Sequence, residues 1–92
     1  MSVVVKIPTQ LRAAAGGEAQ AQVDGAATVQ EVLDGLFTLH EELRGRIADD
    51  DGSLRRFVNV YLAGEDIRFL DGLATPVIDG AELTILPAVA GG

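Results

Sequence analysis

The sequence predicts an α+β domain in which one helix lies across a mixed sheet of about four to five strands. Three observations predict it. Apolar runs at 3–7, 18–24, 56–62 and 82–87 have the length and the alternation of strands. One helical stripe, Val29, Val32, Leu33, Leu36, Phe37 and His40, marks a single main helix over about 29–40. The order is strand, strand, helix, strand, short strand, strand, and one helix over one sheet is the economical way to bury these faces. At 92 residues the chain is expected to form one domain.

The first strand alternates Val3, Val5 and Ile7 with Ser2, Val4 and Lys6, and Val4 suggests cover on both faces. Pro8 ends it, having no N–H for a ladder. Residues 9–17 read as a connector with Leu11 plugging the core and Gly16-Gly17 turning the chain. In 18–24, Ala19, Ala21 and Val23 face one way and Glu18, Gln20 and Gln22 the other. That is an edge strand in hairpin with the first. Thr28 and Glu31 form a capping box at the start of the helix. Gly35 is its weak point.

Residues 41–53 are polar, with a short turn around 43–47. Val58, Val60 and Leu62 oppose Phe57, Asn59 and Tyr61 in the next strand. Residues 63–66 read as a turn, and 67–69 as a short partner strand that Asp71-Gly72 breaks. In 82–87, Leu83 and Ile85 oppose Thr84 and Leu86. A ladder of this order places the last strand beside the first, parallel, at the centre of the sheet. The chain end then projects from the sheet's middle.

Composition narrows the function. Fourteen acidic against seven basic residues give a net charge of −7, which argues against nucleic-acid binding. It suits a soluble protein that meets basic or apolar surfaces. There is no cysteine, hence no disulfide, thiolate metal site or cysteine nucleophile. No run reaches the roughly 20 apolar residues of a membrane span. Residues 1–6 lack the apolar region of a signal peptide, so the cytoplasm is the expected compartment.

The most informative segment is Ala88-Val89-Ala90-Gly91-Gly92, read as a flexible tail on a domain of residues 1–87. Two terminal glycines arise by chance in about one chain in 200, so the count alone decides little. The physical argument is stronger. From Pro87 to Gly92 the extended chain can reach about 20 Å. Glycines lack Cβ, so such a tail can thread a narrow channel and bend freely there. Nothing shields the terminal carbonyl carbon of Gly92 from attack. Pro87, with its fixed φ, stiffens the base and aims the tail. These are the properties of a carboxylate that a partner adenylates and a nucleophile then attacks.

The segment Leu86-Pro87-Ala88-Val89-Ala90-Gly91-Gly92 resembles the ends of bacterial ubiquitin-like sulfur carriers of the MoaD/ThiS superfamily. Asp79-Gly80-Ala81-Glu82-Leu83-Thr84-Ile85 resembles the segment before that tail. Arg56-Phe57-Val58-Asn59-Val60-Tyr61, Glu65-Asp66-Ile67-Arg68-Phe69 and Gly72-Leu73-Ala74-Thr75 are similar to one branch, the actinobacterial carriers of cysteine biosynthesis. So is the opening, where a strand leads into Ile7-Pro8-Thr9 and then Leu11-Arg12. The resemblance spans nearly the whole chain and is loosest over 16–53.

The resemblance implies a ubiquitin-like β-grasp fold and a reaction cycle. A ubiquitin-activating-type adenylyltransferase/sulfurtransferase adenylates Gly92 with ATP and Mg²⁺; this chain itself binds no cofactor. Sulfur displaces AMP and leaves a thiocarboxylate. Gly91, Ala90, Val89, Ala88 and Pro87 thread into the partner's site. The sulfur-accepting partner is a cysteine synthase, with a metallopeptidase releasing cysteine from the tail, or a thiosugar synthase. The chain is then a protein cosubstrate, monomeric when free. The alternatives are the small subunit of molybdopterin synthase and a modifier that forms isopeptide bonds with lysines.

Other residues carry weaker signals. His40, the only histidine, has no second ligand or base at a fixed spacing and suits a helix C-terminus. With no cysteine and no nucleophile–base pair, an independent enzyme is not expected. Asp49-Asp50-Asp51-Gly52 lacks the spaced ligands and closing glutamate of a calcium loop, and no metal site is expected. Gly16-Gly17 lacks the Lys-Ser/Thr of a phosphate loop. Arg55-Arg56 reads as solvation of a sheet edge. Phe57 and Tyr61 read as core or sheet surface. Phe69 and Leu73 are candidates for an apolar patch that docks partners.

Overall fold

In the computed structural model, which describes residues 2–50, 53–55 and 58–87, strand β1 (Ser2–Lys6) buries Val3 and Val5 fully and Val4 by half. It pairs antiparallel with β2 (Gln20–Asp24), Val3 opposite Val23 and Val5 opposite Ala21. The connector between them is more ordered than expected. Thr9–Ala15 winds into a 3-10 helix that opens after Pro8 and closes at Gly16, whose φ of 66° needs glycine. Leu11 is buried as predicted, and Ala14 and Ala15 join it. Arg12 Nε donates to the Ile7 carbonyl at 3.1 Å and holds this helix against the end of β1.

Helix α1 (Val29–Leu39) starts where the capping residues place it. The Thr28 hydroxyl accepts the Glu31 N–H at 3.2 Å. The Glu31 carboxylate accepts the N–H of Ala27 at 2.7 Å, one residue before the cap. Val29, Val32, Leu33, Leu36 and Phe37 are all buried. His40 stands just past the helix, half-buried, its N–H donating to the Leu36 carbonyl at 2.8 Å. Gly35 proves to be the point where α1 crosses β2, facing Val23.

The stretch after α1 does more than turn. A 3-10 turn (Glu41–Leu43) and the single-turn helix α2 (Arg44–Ile47) bury Leu43 and Ile47 completely. Two apolar residues four apart in a polar stretch are a faint signal, yet they close one end of the core. Arg55 does not solvate a sheet edge. Its Nε donates to the Gly45 carbonyl at 2.8 Å and its N–H to the Ile47 carbonyl at 2.9 Å, fastening α2.

Strand β3 (Val58–Leu62) points Val58 and Val60 into the core and leaves Asn59 and Tyr61 half-exposed on the other face. The turn that follows is only Ala63-Gly64, both at positive φ. Its partner strand β4 is Glu65–Asp66, with Glu65 opposite Leu62 and Asp66 opposite Tyr61. This corrects the expectation of a strand at 67–69, since Ile67–Phe69 forms a 3-10 turn. The Asp66 carboxylate accepts the Arg68 N–H at 2.9 Å, and that local bond outcompetes the ladder. A further 3-10 turn (Gly72–Ala74) leads to buried Thr75, whose hydroxyl donates to the Gly72 carbonyl at 2.7 Å. The N–H of Val29 donates to the Thr75 carbonyl, and that of Val77 to the Ala27 carbonyl, both at 3.0 Å. The start of α1 is thereby tied to the loop before the last strand.

That strand, β5 (Glu82–Pro87), buries Leu83 and Ile85. The sheet order is β2-β1-β5-β3-β4, with β5 parallel to β1 and antiparallel to β3. The last strand therefore lies beside the first at the centre, as the element order predicts. Val3, Val5, Val60, Leu83 and Ile85 on the sheet belong to one buried cluster with the α1 stripe. Each such side chain contributes about 1.5–3 kcal/mol on burial.

Candidate functional site

The site begins with the last three residues of β5. The β1 ladder to β5 runs from Val4 opposite Glu82 to Lys6 opposite Thr84 and stops there. The reason is local: Ile7 gives its N–H to the Ala19 carbonyl, and Pro8 has none to give. The β3 ladder continues, with Ile85 opposite Val60, Leu86 opposite Asn59 and Pro87 opposite Val58. Residues 85–87 thus run past one neighbour while the other still holds them. Their base is fixed by a buried Ile85.

Pro87 is the final residue of β5, and Ala88, Val89, Ala90, Gly91 and Gly92 lie outside the described residues. Leu86 is 45% exposed on the sheet face away from α1. Thr84 and Tyr61 stand opposite each other one step back along the same face, and Lys6 lies beside Thr84. Lys6 Nζ donates to Gln20 Oε1 at 3.1 Å. The alternation read from the sequence accounts for the exposure of Leu86, because burying Leu83 and Ile85 turns it outward.

The two candidate docking residues separate. Phe69 is 85% exposed at the end of its turn, whereas Leu73 is half-buried and packs on the core cluster. Leu73 also lines a shallow recess with Leu33 and Phe37 of α1. Of these two, only Phe69 points its apolar side chain outward. Just before it, Arg68 Nη2 meets Asp66 Oδ2 at 2.8 Å. The Arg68 side chain, and then its backbone N–H, hold the Asp66 carboxyl below the usual carboxylate range. Among the described residues no cluster of His, Cys, Asp or Glu could hold a metal ion, and no helix is long and apolar enough to cross a membrane. Asp49 and Asp50 are exposed, while Asp51, Gly52, Arg56 and Phe57 lie outside the described residues.

A five-stranded mixed sheet crossed by one main helix, with its central strand launching the chain end, is a ubiquitin-like β-grasp domain. The ThiS family model matches residues 5–92, and the chain belongs to the ThiS family. It is 45% identical over 94 aligned residues to the sulfur carrier protein CysO of Mycobacterium tuberculosis, and the match covers 100% of both chains. It is 41% identical over 71 residues to small archaeal modifier protein 3 of Haloferax volcanii, across 77% of this chain and 76% of that one. A chain in the crystal structure of the Amycolatopsis orientalis BexX/CysO complex superposes with a TM-score of 0.88 at 48% identity. That superposition covers 98% of this chain and 99% of the other.

Proposed function

We propose that this protein is a sulfur carrier whose Gly92 carboxylate is the reactive group. An adenylyltransferase of the ubiquitin-activating type uses ATP and Mg²⁺. A carboxylate oxygen attacks the α-phosphorus and pyrophosphate leaves. Sulfide then attacks the acyl carbon, AMP departs with the original oxygen, and a thiocarboxylate remains. That sulfur passes to an acceptor enzyme in cysteine biosynthesis or in the making of a thio-containing secondary metabolite. The chain is a protein cosubstrate, regenerated after each transfer.

The observation that carries this reading is the run of β5 past the end of β1 to Pro87. A rigid strand held by β3 is a base from which five small residues can reach into a partner's channel. End-to-end similarity to CysO supports the carrier role, and the complex of a CysO with BexX supports docking on a partner protein. Ala88 to Gly91 are the threading residues, leaving from the strand end at Pro87, and Phe69 supplies an apolar contact beside the body of the partner.

The test is intact-mass spectrometry after incubation with ATP, Mg²⁺, sulfide and an activating enzyme of the same source. One oxygen-for-sulfur exchange on the peptide ending in Gly92 is expected. Deletion of Gly91 and Gly92 should abolish it while leaving the melting temperature unchanged. A deleted protein that still delivers sulfur refutes the assignment. Similarity to a small archaeal modifier protein favours a second use of the same terminus, isopeptide linkage to lysines. Higher-mass conjugates containing the Gly92 peptide would reveal it.

A further inference from the structure

The pole of the sheet opposite Pro87 carries a groove of about 630 Å³. That volume falls in the range, roughly 300–1,000 Å³, of sites that take a small molecule or a peptide segment. It lies between the β3–β4 turn and the loop that leads into β5. Leu62, Pro76 and Ile78 give it apolar walls, and Glu65, Asp79 and Glu82 stand around them. Among the described residues no lysine or arginine lines it. Ile78 is 74% exposed, a large apolar side chain left in water. Asp79 accepts the Ser2 N–H at 2.7 Å, while Glu65 and Glu82 form no ion pair among the described residues.

The walls are built before anything binds. The Ala63 N–H donates to the Glu82 carbonyl at 3.0 Å and fixes the hairpin turn against β5. The Gly80 N–H donates to the Ser2 carbonyl at 2.7 Å, and the Val4 N–H to the Ala81 carbonyl at 3.0 Å, fixing the loop against β1. A groove preformed in this way loses little freedom when it is filled.

We propose that this groove is a second docking site, and that it takes a protein segment presenting an apolar side chain flanked by arginine or lysine. The apolar walls gain by removing such a side chain, and Ile78, from water. Three carboxylates, none in an ion pair among the described residues, favour a basic flank, and a guanidinium can take one of them through paired hydrogen bonds. The net charge of −7 repels an acidic competitor. Glu82 and Pro87 are about 17 Å apart along β5. A partner in the groove can therefore stay bound while an enzyme holds the tail. That consequence rests on the sulfur-carrier reading; the binding itself does not.

The experiment titrates a capped peptide of alternating arginine and leucine into the ¹⁵N-labelled full chain at low salt, followed by NMR. Saturable shifts are expected at Ala63, Gly64, Gly80 and Ala81. Ile78→Ser and the pair Glu65→Gln with Glu82→Gln should each weaken binding by at least about fivefold. These side chains are exposed, so unchanged spectra elsewhere will show that the variants fold. Peptides of arginine with serine, and of glutamate with leucine, should bind far less. The proposal is overturned if shifts spread over the acidic surface at large or if either control peptide binds equally well. It is also overturned if Ile78→Ser leaves the affinity unchanged. No activating enzyme is present, so failure here leaves the sulfur-transfer reading standing, and failure of sulfur transfer leaves this one standing.

Discussion

A Cβ built on Gly35 would lie 2.5 Å from Cγ1 of Val23, so helix α1 crosses strand β2 at a distance only glycine allows. Read from the sequence, Gly35 looks like a flaw in the helix, worth about 1 kcal/mol against alanine. The structure reverses the sign. Val23 is buried and β-branched, and its χ1 is stiff, so it has little room to yield. Gly35→Ala should therefore destabilise the protein by about 1–2 kcal/mol, overpacking outweighing the propensity gain. In the Val23→Ala background the same change should be neutral or stabilising. Denaturant unfolding of the four proteins in that cycle measures the coupling, and an additive result would contradict the contact.

The β3–β4 turn holds Ala63 at φ 51° and Gly64 at φ 87°. A two-residue hairpin turn with both positions at positive φ favours asparagine, aspartate or glycine at the first. Alanine there gives up about 1 kcal/mol to the clash of its Cβ with the following carbonyl. Ala63→Asn should raise stability by about 0.5–1 kcal/mol, read as a shift of the denaturation midpoint with unchanged slope. Gly64→Val should do the opposite, since a branched side chain is strained at that φ.

The Asp66 carboxylate accepts from the Arg68 backbone N–H, from Nε and from Nη2. Its pKa is lowered by that side chain first and by the backbone bond second. A group with a depressed folded-state pKa contributes stability that is fully present above its unfolded value, near 3.9. The contribution fades as pH falls through the lower folded value. Asp66→Asn should therefore be less stable than the parent at neutral pH, and the gap should close as pH is taken below about 4. Urea midpoints at several pH values would show it. A gap constant with pH would mean that the loss comes from the turn geometry and not from the charge.

Phe69 and Leu73 should part company on mutation. Phe69→Ser removes an exposed ring and should leave stability within about 0.5 kcal/mol, while reducing the rate of sulfur loading by the activating enzyme. Leu73→Ser removes a side chain packed on the core cluster and should cost about 1–2 kcal/mol. Thermal melts beside loading rates separate the two effects. Equal stability losses would place Phe69 in the body of the protein.

Much of the fold was legible in the sequence because its signals are local. Thr28 and Glu31 announce the helix start, alternation announces β1, β3 and β5, and Pro8 announces the end of β1. The misread segments are those where a side chain competes with the backbone. Asp66 turns 67–69 into a 3-10 turn, and the strand expected there shrinks to Glu65–Asp66. The turn at 43–47 was legible, but not the burial of Leu43 and Ile47 in it, because a single helical turn has no period to detect.

The order of elements, the stripe on α1 and the small tail residues were determined by the sequence by itself, since each depends on spacing along the chain. The tertiary structure alone decided how closely α1 meets β2 at Gly35. It also decided that residues 85–87 outrun β1, and that Leu62, Ile78 and three carboxylates share one groove. Those are distances between segments far apart in sequence, set by which buried faces must fill the same volume.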